Sequence, residues 1–202
     1  MTSEVEADGH PIAWDLDRRD RFQRVVLPHL DAAYSLARWL TRNDADASDV
    51  VQDAFLRAYR YFDGYRDGDA KSWLLKIVRH TCYSWLARNR PADVTSLDAE
   101  VEFGREDATR SVDAEALLES RSDLRRVNQL IEMLPVSLRE MLILRELHEL
   151  SYHEIAEVTG VPIGTVMSRL YRARSQLLGA FDSASPGSPV DTSSLAMTRA
   201  SL

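Results

Sequence analysis

Residues 150–180 read LSYHEIAEVTGVPIGTVMSRLYRARSQLLGA, and two short helical patterns meet there at a glycine-containing turn. Ser151 and Glu154 have capping-box spacing, in which each side chain satisfies a free backbone N–H at a helix start. Tyr152, Ile155 and Ala156 follow as one apolar face. Gly160 falls where the chain must bend, and it takes a positive φ at no steric cost. Pro162 suits the first turn of the next helix, where its missing N–H is not needed. Val166, Leu170, Ala173 and Leu177 then form an i, i+4, i+7, i+11 stripe. At about 100° per residue the opposite face carries Gly164, Ser168, Tyr171 and Arg172, with Thr165 beside them and Arg169 and Arg174 on the flanks. Residues 163–175 hold three arginines and no acid. A solvated helix face usually mixes signs, because opposite charges four residues apart support it. The pattern is a helix-turn-helix whose small, polar and basic face fits a DNA major groove. An ordinary helical hairpin with a solvated face is the alternative.

Working outward, the 202 residues allow one or two small domains. The net charge of −7 argues against non-specific coating of nucleic acid. That charge is uneven. Residues 71–90 carry five basic side chains and no acid, whereas residues 91–120 carry nine acids against two arginines. Basic helical segments are thus separated by an acidic bridge. The single cysteine, Cys82, excludes an internal disulfide and suits a reducing compartment. Cys82 and His80 lie two positions apart and point about 200° apart on a helix, so they cannot share a metal ion. Cys82 reads as a small apolar core residue. The N-terminus lacks the apolar run of a secretory signal, and nothing approaches the ~20 apolar residues of a membrane span. A soluble cytoplasmic protein is expected.

Residues 1–18 read as a flexible lead, with a helical end near residues 12–16. Phe22, Val25, Val26, Leu30, Ala33, Leu36, Ala37 and Leu40 keep helical spacing, and Pro28 divides them into a short helix and a longer one. Residues 43–46 break the pattern and offer N-caps. The next helix, about residues 47–62, turns Val50, Val51, Ala54, Phe55, Ala58 and Tyr59 inward. Asp49, Gln52, Asp53 and Leu56 form its outer strip. That strip suits a basic partner helix, or is a solvated acidic face near a helix N-terminus.

Residues 63–70, DGYRDGDA, form a loop marked by Gly64 and Gly68. The helix that follows, to about residue 90, points Trp73, Leu74, Ile77, Val78, Thr81 and Trp85 one way. Lys76, Arg79, Tyr83 and, at the edge, His80 point the other. Basic side chains interleaved with an aromatic ring suit phosphates and stacked, unpaired bases; a snorkelling basic surface is the alternative. Residues 92–120 read as an acidic flexible linker, helical near its end. A helix over about residues 121–134 stops before Pro135. Ser137 and Glu140 have the spacing of a second capping box, opening a helix with Leu138, Met141, Leu142 and Leu147. Residues 182–202, rich in serine, read as a disordered tail. No strand pair with a hairpin turn appears, so the fold is expected to be all-α.

DASDVVQDAFLRAYR (residues 46–60), AKSWLLKIVRHTCYSWL (70–86) and LSYHEIAEVTGVPIGTVMSRLYRAR (150–174) occur in that order. Together they resemble the bacterial RNA polymerase sigma factors, specifically the extracytoplasmic-function (ECF) group. The resemblance implies two small helical domains: sigma domain two over residues 19–91 and sigma domain four, with its helix-turn-helix, over residues 121–181. It implies a promoter-specificity subunit with no enzymatic activity, cofactor or metal. Its partners would be core RNA polymerase (β and β′ subunits), promoter DNA and an anti-sigma factor. Asp49, Gln52, Asp53 and Leu56 would grip the β′ coiled coil. Gly64, Lys76, Arg79, His80 and Tyr83 would melt and read the minus-ten element, where an unpaired base is held by stacking and by its exposed edges. Thr165, Ser168, Arg169, Tyr171, Arg172 and Arg174 would contact the minus-thirty-five element. The chain departs from many relatives at His80, where asparagine is common, and at Met167, where lysine or arginine is common. The acidic linker is expected to weaken DNA binding by the free chain. A stand-alone helix-turn-helix regulator is the competing reading. It leaves the basic helix at residues 71–90 without a role. A helical adaptor with no DNA role leaves both basic faces unexplained.

Overall fold

The computed structural model describes residues 11–66, 68–95 and 116–183. Most of the expected lead, linker and tail lies outside the described residues. Every regular element among the described residues is helical, so the all-α expectation holds. Helix α1 spans Pro11–Val26, α2 Leu30–Thr41, α3 Asp44–Tyr61, α4 Ala70–Asn89 and α5 Pro91–Thr95. Helix α6 spans Ala116–Met133, α7 Val136–Glu146, α8 Tyr152–Thr159 and α9 Ile163–Ser183. A 3-10 turn at Leu27–His29, with Pro28 inside it, separates α1 from α2.

The junctions follow local chemistry. Helix α2 ends with Arg42 in the left-handed region at φ 58°, its N–H returning to the Arg38 carbonyl. Asn43 then caps α3, its side chain accepting from the Asp46 N–H at 3.0 Å. Asp69 caps α4 by accepting from the N–H groups of Lys71 and Ser72 at 3.0 and 3.2 Å. The capping box of α8 is complete: the Glu154 N–H donates to Ser151 Oγ at 3.2 Å, and the Ser151 N–H donates to Glu154 Oε2 at 2.7 Å. Gly160, at φ 70°, closes α8 in the left-handed conformation that favours glycine. The Pro162 carbonyl accepts from Thr165 and Val166 to start α9.

Helices α2, α3 and α4 pack on one another around Leu36, Leu40, Val50, Ala54, Leu74 and Val78. Phe22 of α1 meets Phe55, Tyr59 and Phe62 edge to face, an arrangement favoured by the ring quadrupoles. Helices α7, α8 and α9 form a second group around Ile155, Val158, Val166 and Leu170, with Leu138, Leu142 and Ala173 in a smaller adjoining cluster. The two groups are packed together. Helix α4 lies against α8 and α2 against α7, and one apolar cluster runs from Phe22 to Leu170. Leu75, about 100° round α4 from Leu74, is fully buried. The apolar surface of α4 is therefore wider than the single face read from sequence.

The second capping box is a correction. Helix α7 starts after Pro135, which is its N-cap, and no side chain caps it. Ser137 and Glu140 are both buried. All nine residues from Val136 to Leu144 are buried, as in a helix surrounded by protein. Arg139 donates to the carbonyls of Glu132, Leu134 and, across the groups, Leu40 at 2.7, 3.0 and 3.4 Å. Burial and the nearby Arg42 charge push its pKa down to about 10. Arg42 itself donates to the Glu132 carbonyl and pairs with Asp93 of α5 at 2.7 Å.

His148, after α7, is buried, and its Nε2 has no hydrogen-bond partner among the described residues. Burial, then the Lys71 charge, depresses its pKa to about 4. An unfolded chain titrates histidine near 6.5, so it binds more protons than the folded chain between these values. The folded state is therefore expected to lose stability as pH falls from about 6.5 towards 4. His148→Leu should be free of that loss, so melting curves of the two proteins should diverge on acidification. Separately, Ser151→Ala removes the α8 cap and should cost about 1 kcal/mol, read as a lower melting temperature with unchanged helix content.

Candidate nucleic-acid and polymerase interfaces

Three surfaces carry the residues singled out by sequence. On α3, Asp49 and Gln52 are exposed and Leu56 is 62% exposed. Asp53 is half-buried, because Arg57 one turn on holds its carboxylate at 3.0 Å. The buried residues Val50, Val51, Ala54 and Ala58 fix this strip outward. It presents two carboxylates, an amide and an apolar side chain, and its capped N-terminus favours the acids.

The second surface is the loop before α4 and the helix itself. Phe62 stacks with Tyr65, and the Tyr65 hydroxyl donates to the Gly68 carbonyl at 2.6 Å, which closes the loop. A cavity of about 460 Å³ opens beside Gly64, between Tyr65, Asp69, Trp73 and Lys76 on one side and Glu157 and Val158 of α8 on the other. Lys76 and His80 are exposed, as the outer-face reading requires.

Arg79 and Tyr83 do not share that exposure. Arg79 Nε donates to Glu140 Oε1 at 2.6 Å, and the Tyr83 hydroxyl donates to Glu140 Oε2 at 3.1 Å. The Arg79 guanidinium lies 4.6 Å from the centroid of the Tyr83 ring, within cation–π range. Glu140 has 0% exposure. Complete burial pushes its pKa up against the pull of Arg79. Burial and the Glu140 charge push the Tyr83 phenol up, so it stays protonated and donates. Lys71 adds a further contact, Nζ donating to the His148 carbonyl at 2.7 Å. The four side chains placed on one face by helical spacing are thus split, two towards solvent and two towards α7.

The third surface is α9. Val166, Leu170 and Ala173 are buried as the stripe requires. Ser168 and Arg172 are exposed and Tyr171 is 74% exposed. Thr165 and Arg169 are half-buried, and Arg169 adds positive charge near Glu140 and Tyr83. Arg174 is held at 2.6 Å by Glu146 of α7. Met167 is exposed on the same helix, where it offers no charge.

Sequence reasoning missed Glu140 and Glu157. Glu157 resembles any exposed helical acid and shows nothing local of its place beside the cavity. Glu140 does carry a signal. It lies four residues after Val136 and three before Ile143, inside an apolar stripe where an acid needs a partner. The capping-box spacing hid this. Among the described residues no cluster of His, Cys, Asp or Glu could hold a metal ion. No helix among them is long and apolar enough to cross a membrane. Cys82 is fully buried and burial raises its thiol pKa, which agrees with a core role.

Comparison with known proteins finds two matching families on the chain. The family described as sigma-70 region 2 matches residues 25–91, and the one described as sigma-70, region 4 matches residues 124–177. The RNA polymerase sigma-H factor of Pseudomonas aeruginosa is 36% identical over 162 residues, covering 77% of this chain and 83% of the relative. The ECF RNA polymerase sigma-E factor of Escherichia coli K12 is 40% identical over 138 residues, covering 65% of this chain and 72% of the relative. Among solved structures, the sigma factor RpoE of Bartonella quintana, in complex with the anti-sigma factor NepR, superimposes with a TM-score of 0.61 at 26% identity. It covers 82% of this chain and 99% of that one. CnrH in complex with the cytosolic domain of CnrY gives 0.59 at 26% identity, covering 83% and 91%. With both regions in order on one short chain, and relatives of this identity over most of their length, the chain belongs to the extracytoplasmic-function group of the sigma-70 family.

Proposed function

We propose that this chain binds core RNA polymerase through Asp49, Gln52, Asp53 and Leu56 and gives it promoter specificity. The observation that carries the reading is the outward strip on α3, beside a basic helix with a loop cavity, on the same chain as a helix-turn-helix. In the complex, Gly64, Lys76, Arg79, His80 and Tyr83 face the minus-ten element. Unpaired bases stack there, each contributing about 1–3 kcal/mol towards strand opening. Thr165, Ser168, Tyr171 and Arg172 face the minus-thirty-five duplex, with Arg169 and Arg174 nearer its phosphates. The polymerase supplies the catalysis; the sigma chain is not an enzyme and works in the cytoplasm. An anti-sigma factor controls it, as the NepR partner of RpoE supports.

Phosphate contacts set affinity and base contacts set specificity. His80 and Met167 therefore give this chain base and backbone preferences of its own. The test is binding of fluorescently labelled chain to purified bacterial core polymerase. An Asp49→Ala/Gln52→Ala/Asp53→Ala variant should bind at least about tenfold more weakly, as expected when interface anchors are truncated. Its melting curve should match the parent. Equal binding by the two proteins would overturn the assignment of the α3 strip.

A further inference from the structure

Glu140 is a charged side chain with 0% exposure, and both of its hydrogen-bonding partners lie on α4, 57 and 61 residues earlier in the chain. Neither contact lies within the helix-turn-helix group that carries it. Its neighbour Arg139 likewise reaches across to the Leu40 carbonyl. Glu140 thus takes its hydrogen bonds from the other helical group, and Arg139 donates the longest of its three to that group.

The groups that satisfy Glu140 are a guanidinium and a phenolic hydroxyl. Each also suits a phosphate oxygen, because both donate and the guanidinium is cationic. We propose that Glu140 occupies the nucleic-acid contacts of Arg79 and Tyr83 as a stand-in for a phosphate, and so latches the free chain in a closed state that DNA must displace. The inference rests on the reading of α4 as a nucleic-acid face. Four further features cooperate with the latch. Lys71 is tied to the His148 carbonyl. Val158 packs α8 over α4, and Glu157 brings a carboxylate to the mouth of the loop cavity, where it repels phosphate. Arg169 of α9 stands near the buried carboxylate, so the closed state draws one side chain of the duplex-reading helix inward.

A latch and a purely structural ion pair predict opposite outcomes when the carboxylate is neutralised. Breaking a structural pair lowers stability and gives no new binding. Opening a latch raises the fraction of chain that can bind, and the apparent affinity rises with that fraction. The experiment uses the full chain carrying Glu140→Gln, which keeps the shape of the side chain. It is titrated with fluorescent single-stranded DNA of the promoter non-template strand, without polymerase. Donor and acceptor dyes at Ser48→Cys and Ser175→Cys, both exposed positions, report the separation of the helical groups. Cys82 is buried and stays unlabelled in the folded chain.

The latch predicts about tenfold tighter DNA binding by Glu140→Gln and a longer dye separation. Arg139→Met, which removes the contact to Leu40 along with those to the Glu132 and Leu134 carbonyls, should shift both readouts the same way and serves if Glu140→Gln folds poorly. Unchanged binding and separation in folded variants would overturn the latch. Longer separation without tighter binding would overturn the phosphate stand-in. Arg79→Ala, assayed for promoter opening in the complex with core polymerase, tests the underlying reading separately. Loss of opening there keeps α4 as the nucleic-acid face even where the latch has failed.

Discussion

A carboxylate removed from water needs donors, and the closed arrangement is organised around that requirement at Glu140. An isolated ionised group in a protein interior is prohibitively costly, so Arg79 and Tyr83 must meet it. Removing one member of such a pair is far more damaging than never having built it. The consequence is directional. The apolar surface shared by α4 and α8 supplies non-specific adhesion, whereas the Glu140 contacts admit one register between the two helical groups. Arg139 reinforces this from the next position by reaching the end of α2.

The same helix therefore has two sets of obligations. Leu74 and Val78 belong to the core of the first group, and Leu75 is buried with them. Lys76 and His80 remain in solvent. Arg79 and Tyr83 sit between, partly exposed yet hydrogen-bonded to Glu140 of α7. Basic surfaces are costly to leave unpaired in a compact protein because like charges repel. Pairing one of them internally reduces the attraction for non-specific polyanions, in keeping with the acidic balance of the chain.

Most of the helices were legible from periodicity, because a 3.6-residue repeat is written into neighbouring positions. The α9 stripe of Val166, Leu170 and Ala173, the capping box at Ser151 and the left-handed turn at Gly160 all depend on residues within one or two turns. The helical end read near residues 12–16 is part of α1, which starts at Pro11, whereas the short α5 lies where polar composition carried little signal. The docking of the two groups was not legible. Its contacts join residues 57 to 99 positions apart, and no local pattern encodes such a meeting. Glu140 shows the failure most clearly. Its spacing from Ser137 matches a cap, yet Pro135 already sets the start of α7, and the side chain is directed to a helix far away in sequence. Family resemblance gave roles to the α3 strip and the α4 face that composition alone left open between binding and solvation.

The ion pair between Arg42 and Asp93 bears on how strongly any outside ligand must compete. Arg42 holds α5, where the chain leaves the first helical group, and also the carbonyl of Glu132 near the end of α6, where it enters the second. Only residues 96–115 separate these two helices along the chain. Docking of the two groups is thus intramolecular, governed by an effective concentration and not by the bulk one. Contacts too weak to hold two separate polypeptides together suffice to keep one chain shut. Closure is then independent of how much protein the cell contains, and only a ligand favouring the open form shifts it.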